Sequence, residues 1–470
     1  AILARAGAVW VRAMPPGIVS ALGLQGIRRE DVGVGLLQSA VLPSSLFNAF
    51  HMRAFLLRGL TSTDVAWAHS VYWVWNIAND VLAGYWVDRF CAAFGSRLPL
   101  VRVLSFLWIL VAVFPFWDVG LDPFVHYFLS IMLFDGCMTV VCIARGSLVS
   151  ELGDTEKHRI GMGRVQALCG IPEALVTLAA LSLWDSQAAF RLVLLAAMLL
   201  SVLFVEVGYR LCQPAIRPLS TSSGRHSFTV RSYMRQLRGQ RNFWAFVGMN
   251  CIMEMQGTFH DQFNPIIADI LMPSASAGVL PALGVVGFVT SYGVTLLADR
   301  IGTYRIYRGA ILGKVVVSFG IALLVSAGSP LSWLAALLMV MVQVSMSSAC
   351  KFFDVSMAIL ADEYSLGAGT DVDVTSRMYA THAVFAKPLN SLSPIISTQV
   401  MSLEAYRSMK SSGDVAPDTL RFQAISLLVA FPLVVGSLQW LSWRRFTLHG
   451  RELAKQQEQK RARDRISDKF

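Results

Sequence analysis

The chain has 470 residues, of which 55% are hydrophobic and only 15% are charged, and its formal net charge is +10. A soluble globular domain is normally about one-quarter charged, because its surface must be solvated by water. A chain this poor in charge is therefore expected to bury most of its surface in a lipid bilayer. The basic excess does not indicate nucleic-acid binding, since Lys and Arg stand in short gaps between apolar runs rather than in a stripe with aromatic residues.

No catalytic motif and no metal-binding motif is found in the sequence. The seven cysteines are scattered through apolar runs without a CxxC or Cys/His spacing, which argues against a disulfide framework and against structural zinc. The Gly-rich phosphate loop, the GxSxG nucleophile turn and the HExxH zinc motif are also absent from the sequence. We therefore expect no cofactor and no enzymatic activity, and we do not expect an ATP-driven pump, because the sequence shows no motif of a nucleotide-hydrolysing domain.

The first segment, residues 1–32, is predicted to be an N-terminal arm outside the membrane core. It has four Arg residues and no acidic residue before Glu30. An arm rich in Arg and poor in acids is typical of an organellar presequence. It equally fits a segment that lies on the membrane, or the trimmed start of a longer chain.

Twelve windows of mostly apolar residues follow, and each is long enough to span a bilayer as a helix. Six of them make up an N-terminal half, residues 33–208, with windows at 33–52, 65–86, 101–119, 123–145, 165–184 and 190–208. The other six make up a C-terminal half, residues 242–443, with windows at 242–266, 278–298, 309–328, 331–353, 378–400 and 422–443. The sequence thus predicts an all-α integral membrane protein.

Between the halves lies a basic linker, residues 209–241, which contains no acidic residue. Val230, Tyr233, Met234 and Leu237 stand at helical spacing there, with arginines between them, which predicts a short helix lying on an anionic inner leaflet. An ordinary solvated linker is the alternative. The tail, residues 444–470, is polar from Arg451 onward and is predicted to be a solvated cytoplasmic helix or disordered.

The orientation follows from the basic residues. Most of the 40 Lys and Arg residues lie in the arm, the linker, the tail and the alternate loops on their side of the membrane. Because cytoplasmic segments are enriched in Lys and Arg, this distribution places both termini in the cytoplasm.

We number the predicted helices one to twelve in the order of their windows. Helix two, which begins in the window 65–86, contains the most informative motif of the chain. Asp80 lies nine residues before Arg89, which is about 13 Å of helix. It therefore falls near mid-bilayer, where a carboxylate is costly unless it faces a cavity, a partner or a cation. Gly84 permits close packing of a neighbouring helix, and the pair Asp88–Arg89 lies at the membrane edge.

The Asp-Arg pair occurs again after helix eight, as Asp299 and Arg300. Some membrane folds of twelve helices consist of two six-helix halves related by a parallel repeat, and the repeated pair predicts such a repeat here. We group Gly84, Asp88, Arg89, Asp299 and Arg300 as a gating or loop motif.

The pattern N-D-x-x-x-G-x-x-x-D-R, from Asn79 to Arg89, resembles helix two of the glycoside–pentoside–hexuronide:cation symporters, a branch of the major facilitator superfamily. The stretches SSLFNAF (44–50), FDGCMT (134–139), RNFWAFVGMN (241–250) and FAKPLNSLSPI (385–395) are similar to the transmembrane protein 180 group within that branch. The resemblance implies a major facilitator fold of twelve helices that works by alternating access.

The same resemblance implies a cation-coupling site at Asp80 and Asp135, on helices two and four. Asn76, one turn before Asp80, stands where some members have a second carboxylate. Its neutral side chain weakens the case for sodium and leaves proton coupling or facilitated diffusion open. A purely structural hydrogen-bonded cluster is the alternative.

Three further ionisable residues inside the windows, Glu173, Glu254 and Lys387, are predicted to line a substrate cavity. Packing against a neighbouring helix is the alternative for each of them, and Glu254 could pair with Lys387. His260 and Asp261 are expected too near the outer end of helix seven to work at depth.

We predict a secondary active or facilitative transporter of a small polar solute, with membrane lipid and either sodium or a proton as further partners. The alternative is a transport-inactive structural subunit with protein partners in a larger membrane complex. The plasma membrane or an endomembrane is the expected location, with the mitochondrial inner membrane as an alternative. A polar cavity that reaches Asp80 and Asp135 would favour transport, whereas a core filled by apolar side chains would favour the structural role.

Overall fold

The computed structural model describes residues 26–153, 155–184, 186–216, 230–327, 331–368 and 374–467. Within these residues the chain folds into eighteen α-helices and one short 3-10 helix, without a β-strand. Most of the predicted N-terminal arm and the Ser-rich part of the linker lie outside the described residues.

The helices before the linker follow one another through short connections. They are α1 (Arg29–Gln38), α2 (Leu42–Leu57), α3 (Ser62–Phe94), α4 (Leu98–Val113), α5 (Pro123–Leu152), α6 (Glu156–Cys169), α7 (Ile171–Leu183) and α8 (Gln187–Cys212), with the 3-10 turn at Phe114–Phe116.

The remaining helices begin in the linker and end in the tail. They are α9 (Val230–Arg238), α10 (Arg241–Leu271), α11 (Ser276–Ile301), α12 (Thr303–Ser326), α13 (Leu331–Cys350), α14 (Phe353–Ala368), α15 (Thr375–Val400), α16 (Leu403–Ser412), α17 (Asp418–Trp443) and α18 (Arg451–Ser467).

Nine helical segments of the described chain are long and apolar enough to cross a membrane, and they fall on nine of the twelve predicted windows. The other three windows fall on α3, α10 and α15, which have 33, 31 and 26 residues. At 1.5 Å per residue, even the shortest is about 39 Å long and exceeds the ~30 Å hydrocarbon core. These three helices are long enough to span the membrane, but their polar residues keep them out of the set of nine apolar segments. The count of twelve spanning helices therefore stays a prediction.

The helices before the linker pack against those after it along one seam. In this seam α3 and α5 contact α15, α2 contacts α10, and α6 and α7 contact α11. Apolar clusters that combine residues of both sets lie toward each end of the seam. We call the end on which α9 and α18 pack the tail face, and the opposite end the α16 face.

Side chains from both sets of helices close the tail face. Ser147 on α5 and Ser376 on α15 bring their Oγ atoms to 3.0 Å. Arg159 on α6 pairs with Asp362 on α14 at 3.0 Å, and this carboxylate also binds Lys460 of α18 at 2.6 Å. The tail is thus a helix docked on the bundle rather than a solvated one.

The linker helix α9 also packs on the protein. Tyr233 and Leu237 are buried, and the Tyr233 hydroxyl lies 3.2 Å from Thr381 Oγ1 on α15. The predicted apolar stripe is therefore largely used for tertiary packing, and the expectation that it lies on lipid is wrong for these two residues. Only Met234 of the stripe is exposed among the described side chains.

The α16 face is closed by a second group of contacts. The backbone and hydroxyl groups of Ser62, which opens α3, each donate to Glu404 at 2.8 Å. Partial burial raises the pKa of Glu404, but these hydrogen bonds outweigh it and hold the pKa below its usual value. Nearby, Asp269 accepts a hydrogen bond from Tyr406 at 2.8 Å and lies 3.4 Å from Arg53. Both ends of the seam are therefore closed in this conformation.

A glycine lets α3 and α15 approach closely. A Cβ atom on Gly84 would lie 2.6 Å from the Cβ of Ala380, so Gly84→Ala forces the two helices apart. We expect it to destabilise the protein by about 1–3 kcal/mol, as overpacking does, seen as a lower thermal unfolding midpoint in detergent. Gly313→Ala on α12 is the matched control, because nothing lies within 4 Å of its added Cβ. Equal midpoints for the two variants would contradict the close approach.

Candidate functional site

A lysine between two aspartates lies at the middle of the seam. Lys387 Nζ on α15 is 3.0 Å from Asp80 Oδ1 on α3 and 2.5 Å from Asp135 Oδ1 on α5. It also donates to Thr139, one turn after Asp135. Asp80 and Asp135 are 0% and 1% exposed, and Lys387 is 7% exposed. The structure thus brings two of the predicted coupling residues onto one ammonium group.

This triad joins the two sets of helices electrostatically. Removing two carboxylates from water costs several kcal/mol each unless a counter-charge compensates them. Lys387 compensates both, but one ammonium and two carboxylates leave a formal charge of −1 in a buried place. The triad therefore holds α15 against α3 and α5, and it can accept one further monovalent positive charge.

The two asparagines of α3, Asn76 and Asn79, have different partners. Asn79 donates from Nδ2 to Asp135 Oδ2 at 3.0 Å and to Thr139 Oγ1 at 2.9 Å. Asn76 donates to Ser391 Oγ at 3.1 Å and to the carbonyl oxygen of Lys387 at 3.3 Å. Asn76 thus binds α15 rather than the aspartates. Sequence reasoning did not select Asn79, although it directly precedes Asp80 in the motif.

A cavity of about 320 Å³ adjoins the triad. Asn76, Asp135 and Lys387 form part of its wall, and Glu254 and Asp261 of α10 form another part. Asp80 lies behind Lys387 and is not among the residues that line it. The wall is mixed, with aromatic and Met side chains between the polar ones, as is usual for sites that bind small molecules.

A second cavity of about 410 Å³ shares Asn48 and Asp261 with the first. Three interruptions of the helices meet at its wall: Ser39 after α1, Gly170 between α6 and α7, and Lys351 between α13 and α14. In membrane proteins, non-helical backbone at membrane depth is tolerated where it lines a cavity. The interrupted helices therefore mark this cavity as a polar space inside the bundle.

Glu254 and Glu173, two of the predicted cavity residues, each line one of these cavities. Glu254 accepts hydrogen bonds from Asn250 at 2.8 Å and Asn390 at 3.4 Å. It does not pair with Lys387, which is bound to the aspartates instead. Glu173 accepts a hydrogen bond from Ser45.

Asp261 was expected too near the outer end of its helix to work at depth, and this is wrong. It lines both cavities, and His260 beside it lines the second one. The helix continues through Pro265 to Leu271, beyond the end of the predicted window at residue 266. Asp261 is therefore deeper than the window implied.

Lys314 on α12 is a buried cation inside the predicted window 309–328 that the sequence analysis did not assign to the site. It is 2% exposed and donates to Gln256 Oε1. Gln256 Nε2 in turn lies 3.3 Å from His260 Nε2, which links Lys314 to the wall of the second cavity. A lysine inside an apolar window is itself a signal of such a role.

The residues of the loop motif lie near the tail face. Asp299 pairs with Arg164 of α6 at 2.5 Å, across the seam. Arg89 donates to the hydroxyl of Tyr85 at 2.9 Å, and Arg300 is exposed. The side chain of Asp88 is outside the described part, so a matching contact for the first copy of the motif stays a prediction.

Comparison with known proteins agrees with this architecture. Residues 35–448 match the family described as MFS/sugar transport protein. The chain belongs to this family. It is 23% identical over 446 residues to transmembrane protein 180 of Gallus gallus, and 24% identical over 447 residues to that of Mus musculus. Each match covers 82% of this chain and 85% of the relative. The resemblance seen in the sequence motifs is confirmed.

Solved structures show the same fold. A bacterial homologue of the iron transporter ferroportin, in an outward-facing state, aligns with a TM-score of 0.54 at 15% identity, covering 89% of this chain and all of the other. The major facilitator transporter FucP, in the outward conformation, aligns with a TM-score of 0.54 at 12% identity, covering 87% and 98%. A D-xylose–proton symporter gives 0.55 at 11% identity, covering 90% and 97%. These likenesses establish a major facilitator fold.

Removing the central ammonium leaves two buried carboxylates uncompensated. We expect Lys387→Met to destabilise the protein by about 3–5 kcal/mol, the usual effect of breaking a buried ion pair from one side. The triple variant Lys387→Met, Asp80→Asn, Asp135→Asn should recover much of this loss, because it buries no charge. Both effects are measured as thermal unfolding midpoints in detergent.

Lys410→Met is the matched control, since Lys410 binds Asp269 at 3.0 Å but its side chain is 35% exposed. Removing a partly exposed pair should cost about 1 kcal/mol or less. If Lys387→Met were no worse than this control, or if the triple variant recovered nothing, the triad would not be the ion pair described here.

Proposed function

We propose that the chain transports a small polar solute across a membrane by alternating access, through the two cavities at the seam. The observation that carries this proposal is the polar cavity beside the triad of Lys387, Asp80 and Asp135. The two sets of helices are joined by polar contacts at both faces and by the triad between them. Rocking of one set against the other would break the contacts at one face while those at the other face stay closed.

The triad supports cation coupling through Asp80 and Asp135. Lys387 occupies the position between the carboxylates that a bound cation would otherwise take, and a formal charge of −1 remains. One proton or one sodium ion would neutralise it, and would weaken the hold of the carboxylates on Lys387. Binding of the cation would thus loosen α15 from α3 and α5. Asn76 assists by positioning α15 rather than by binding the cation.

The alternative of a transport-inactive structural subunit is less well supported. A subunit that has lost transport has no need of an interior polar space, and the seam could then close with apolar side chains. Instead, carboxylate, amide and ammonium groups line two cavities that share Asn48 and Asp261. Unpaired polar groups in an interior are costly, and their presence around a cavity supports a role in solute binding.

The orientation and location belong to the proposal as well. The tail face carries the Arg-rich helices α9 and α18, and we propose that it faces the cytoplasm, because cytoplasmic segments are rich in Lys and Arg. The protein is a multi-pass membrane protein, and the plasma membrane or an endomembrane is its proposed location.

The proposal is tested with the purified full chain in lipid vesicles. A mixture of small polar solutes is added outside, and mass spectrometry measures which of them enter faster than into protein-free vesicles. We expect at least one solute to enter in a saturable manner, at a rate that depends on pH or on sodium. Entry that never exceeds that of the protein-free vesicles would contradict transport.

Asp80→Asn tests the coupling. The variant leaves Lys387 paired with Asp135 alone, so the triad is neutral without a further cation. Solute entry should then lose its dependence on pH or sodium, while the protein stays folded. Asp118→Asn, at an exposed carboxylate in the connection between α4 and α5, is the control and should behave like the unchanged protein. An Asp80→Asn variant that retained the original ion dependence would show that coupling lies elsewhere.

A further inference from the structure

Two of the three carboxylates that line the first cavity form no ion pair with a lysine or arginine of the described residues. Its wall includes Asp135, Glu254 and Asp261, and its one ammonium, Lys387, is bound to Asp80 and Asp135. Glu254 receives two neutral amide donors and lies 3.6 Å from the imidazole of His382. Asp261 lines both cavities without a hydrogen bond or an ion pair to the described residues. Lys351 stands in the wall of the second cavity, but neither Glu254 nor Asp261 is ion-paired with a lysine or arginine of the described residues.

Several amide oxygens in the same wall also receive no hydrogen bond. The side chain of Asn76 is almost fully buried, at 1% exposure, and its Oδ1 receives no hydrogen bond. Its orientation is fixed, because its Nδ2 donates to a backbone carbonyl oxygen, which can only accept. The amide oxygens of Gln262 and Asn390, which line the same cavity, are likewise without a donor. Asn390 is oriented by its donation to the carboxylate of Glu254.

These acceptors specify the chemistry of a ligand. A neutral polyol or sugar has at least as many acceptor oxygens as donor hydroxyl groups, so it matches a wall rich in unsatisfied acceptors less well than a group that only donates. An ammonium group has three donors and no acceptor, and a guanidinium group has five donors and no acceptor. Either group can donate to these amide oxygens, and its single positive charge offsets one of the two negative charges of Glu254 and Asp261; a solute with two such groups offsets both.

We infer that the transported solute carries a positively charged nitrogen group, which binds between Glu254 and Asp261 beside the amide oxygen of Asn76. This inference rests on the proposed transport function and names its substrate class. The cavity of about 320 Å³, with the second one of about 410 Å³ beyond Asp261, is large enough for a small organic cation. Asp80 and Asp135 are not part of this site, since Lys387 already occupies them.

The test compares charge classes in one vesicle experiment with the unchanged full chain. Putrescine, agmatine and choline serve as cationic probes, xylitol and inositol as neutral probes, and alanine as a zwitterionic probe. A hydrogen bond to a charged group is stronger than one between neutral groups, and losing one corresponds to about tenfold or more in affinity. We therefore expect at least one cationic probe to enter about tenfold faster than every neutral probe.

Variants then localise the site. Glu254→Gln and Asp261→Asn should each lower the entry rate of the preferred cation by about tenfold or more, for the same reason. Glu458→Gln makes the same chemical change at an exposed position of α18 and should leave entry unchanged. Gel filtration and thermal unfolding confirm that each variant is folded, and the comparison of probes on the unchanged chain does not depend on them.

The outcomes separate this inference from the transport proposal. Selective entry of neutral or zwitterionic probes would overturn the cationic substrate class and leave transport standing. Selective entry of cations that both carboxylate variants retain would overturn the assignment of the site. Entry of no probe above the level of protein-free vesicles would count against transport itself, and the substrate inference would fail with it.

Discussion

Lys387 places one ammonium between the carboxylates of Asp80 and Asp135, and each of these charges comes from a different helix. None of the three could be held alone at this depth without a large desolvation penalty. Together they compensate one another, and this requires α15 to stay against α3 and α5. The close approach at Gly84 and the contacts at both faces lie along the same seam. The closed conformation of the protein therefore depends on this buried ion pair.

The buried polar residues along the seam explain why three helices are too polar to be recognised as membrane spans by composition. Asp80, Glu254 and Lys387 lie on α3, α10 and α15, and all three helices meet at the seam. Their polar sides face one another and the cavities. The opposite side of α3 is apolar and exposed, as the 65% and 66% exposure of Trp67 and Trp86 indicates. A helix with charges on its inner side can thus lie in lipid, provided that its neighbours satisfy those charges.

Much of the fold and part of the site were accessible from the sequence. The apolar windows locate the long helices because a span of bilayer thickness leaves a strong local signal. The resemblance to the symporter family had placed Asp80 and Asp135 in one site. The partner of Lys387 did not follow, because depth alone allowed Glu254 as well. The rotation of α15 decides between these carboxylates, and that rotation is set by contacts such as Gly84 with Ala380, which are distant in sequence.

Two other features were not predicted correctly for physical reasons that can be named. The depth of Asp261 was misjudged because α10 continues through Pro265, and neighbouring helices can stabilise a proline inside a membrane helix. The apolar side of α9 was assigned to lipid, but Tyr233 and Leu237 pack on the bundle. An amphipathic pattern specifies that one side is buried, and it does not specify whether lipid or protein covers that side.

The central claim is that the two faces of the seam open in turn around the triad, and locking each face by a covalent bridge tests it most directly. In a chain without its seven native cysteines, Ser147→Cys with Ser376→Cys bridges the tail face by a disulfide. Ser62→Cys with Glu404→Cys, joined by a short bis-maleimide, bridges the α16 face. Alternating access predicts that either bridge alone stops solute entry into vesicles, and that reduction of the disulfide restores it. Entry that continues with both faces bridged would contradict the account.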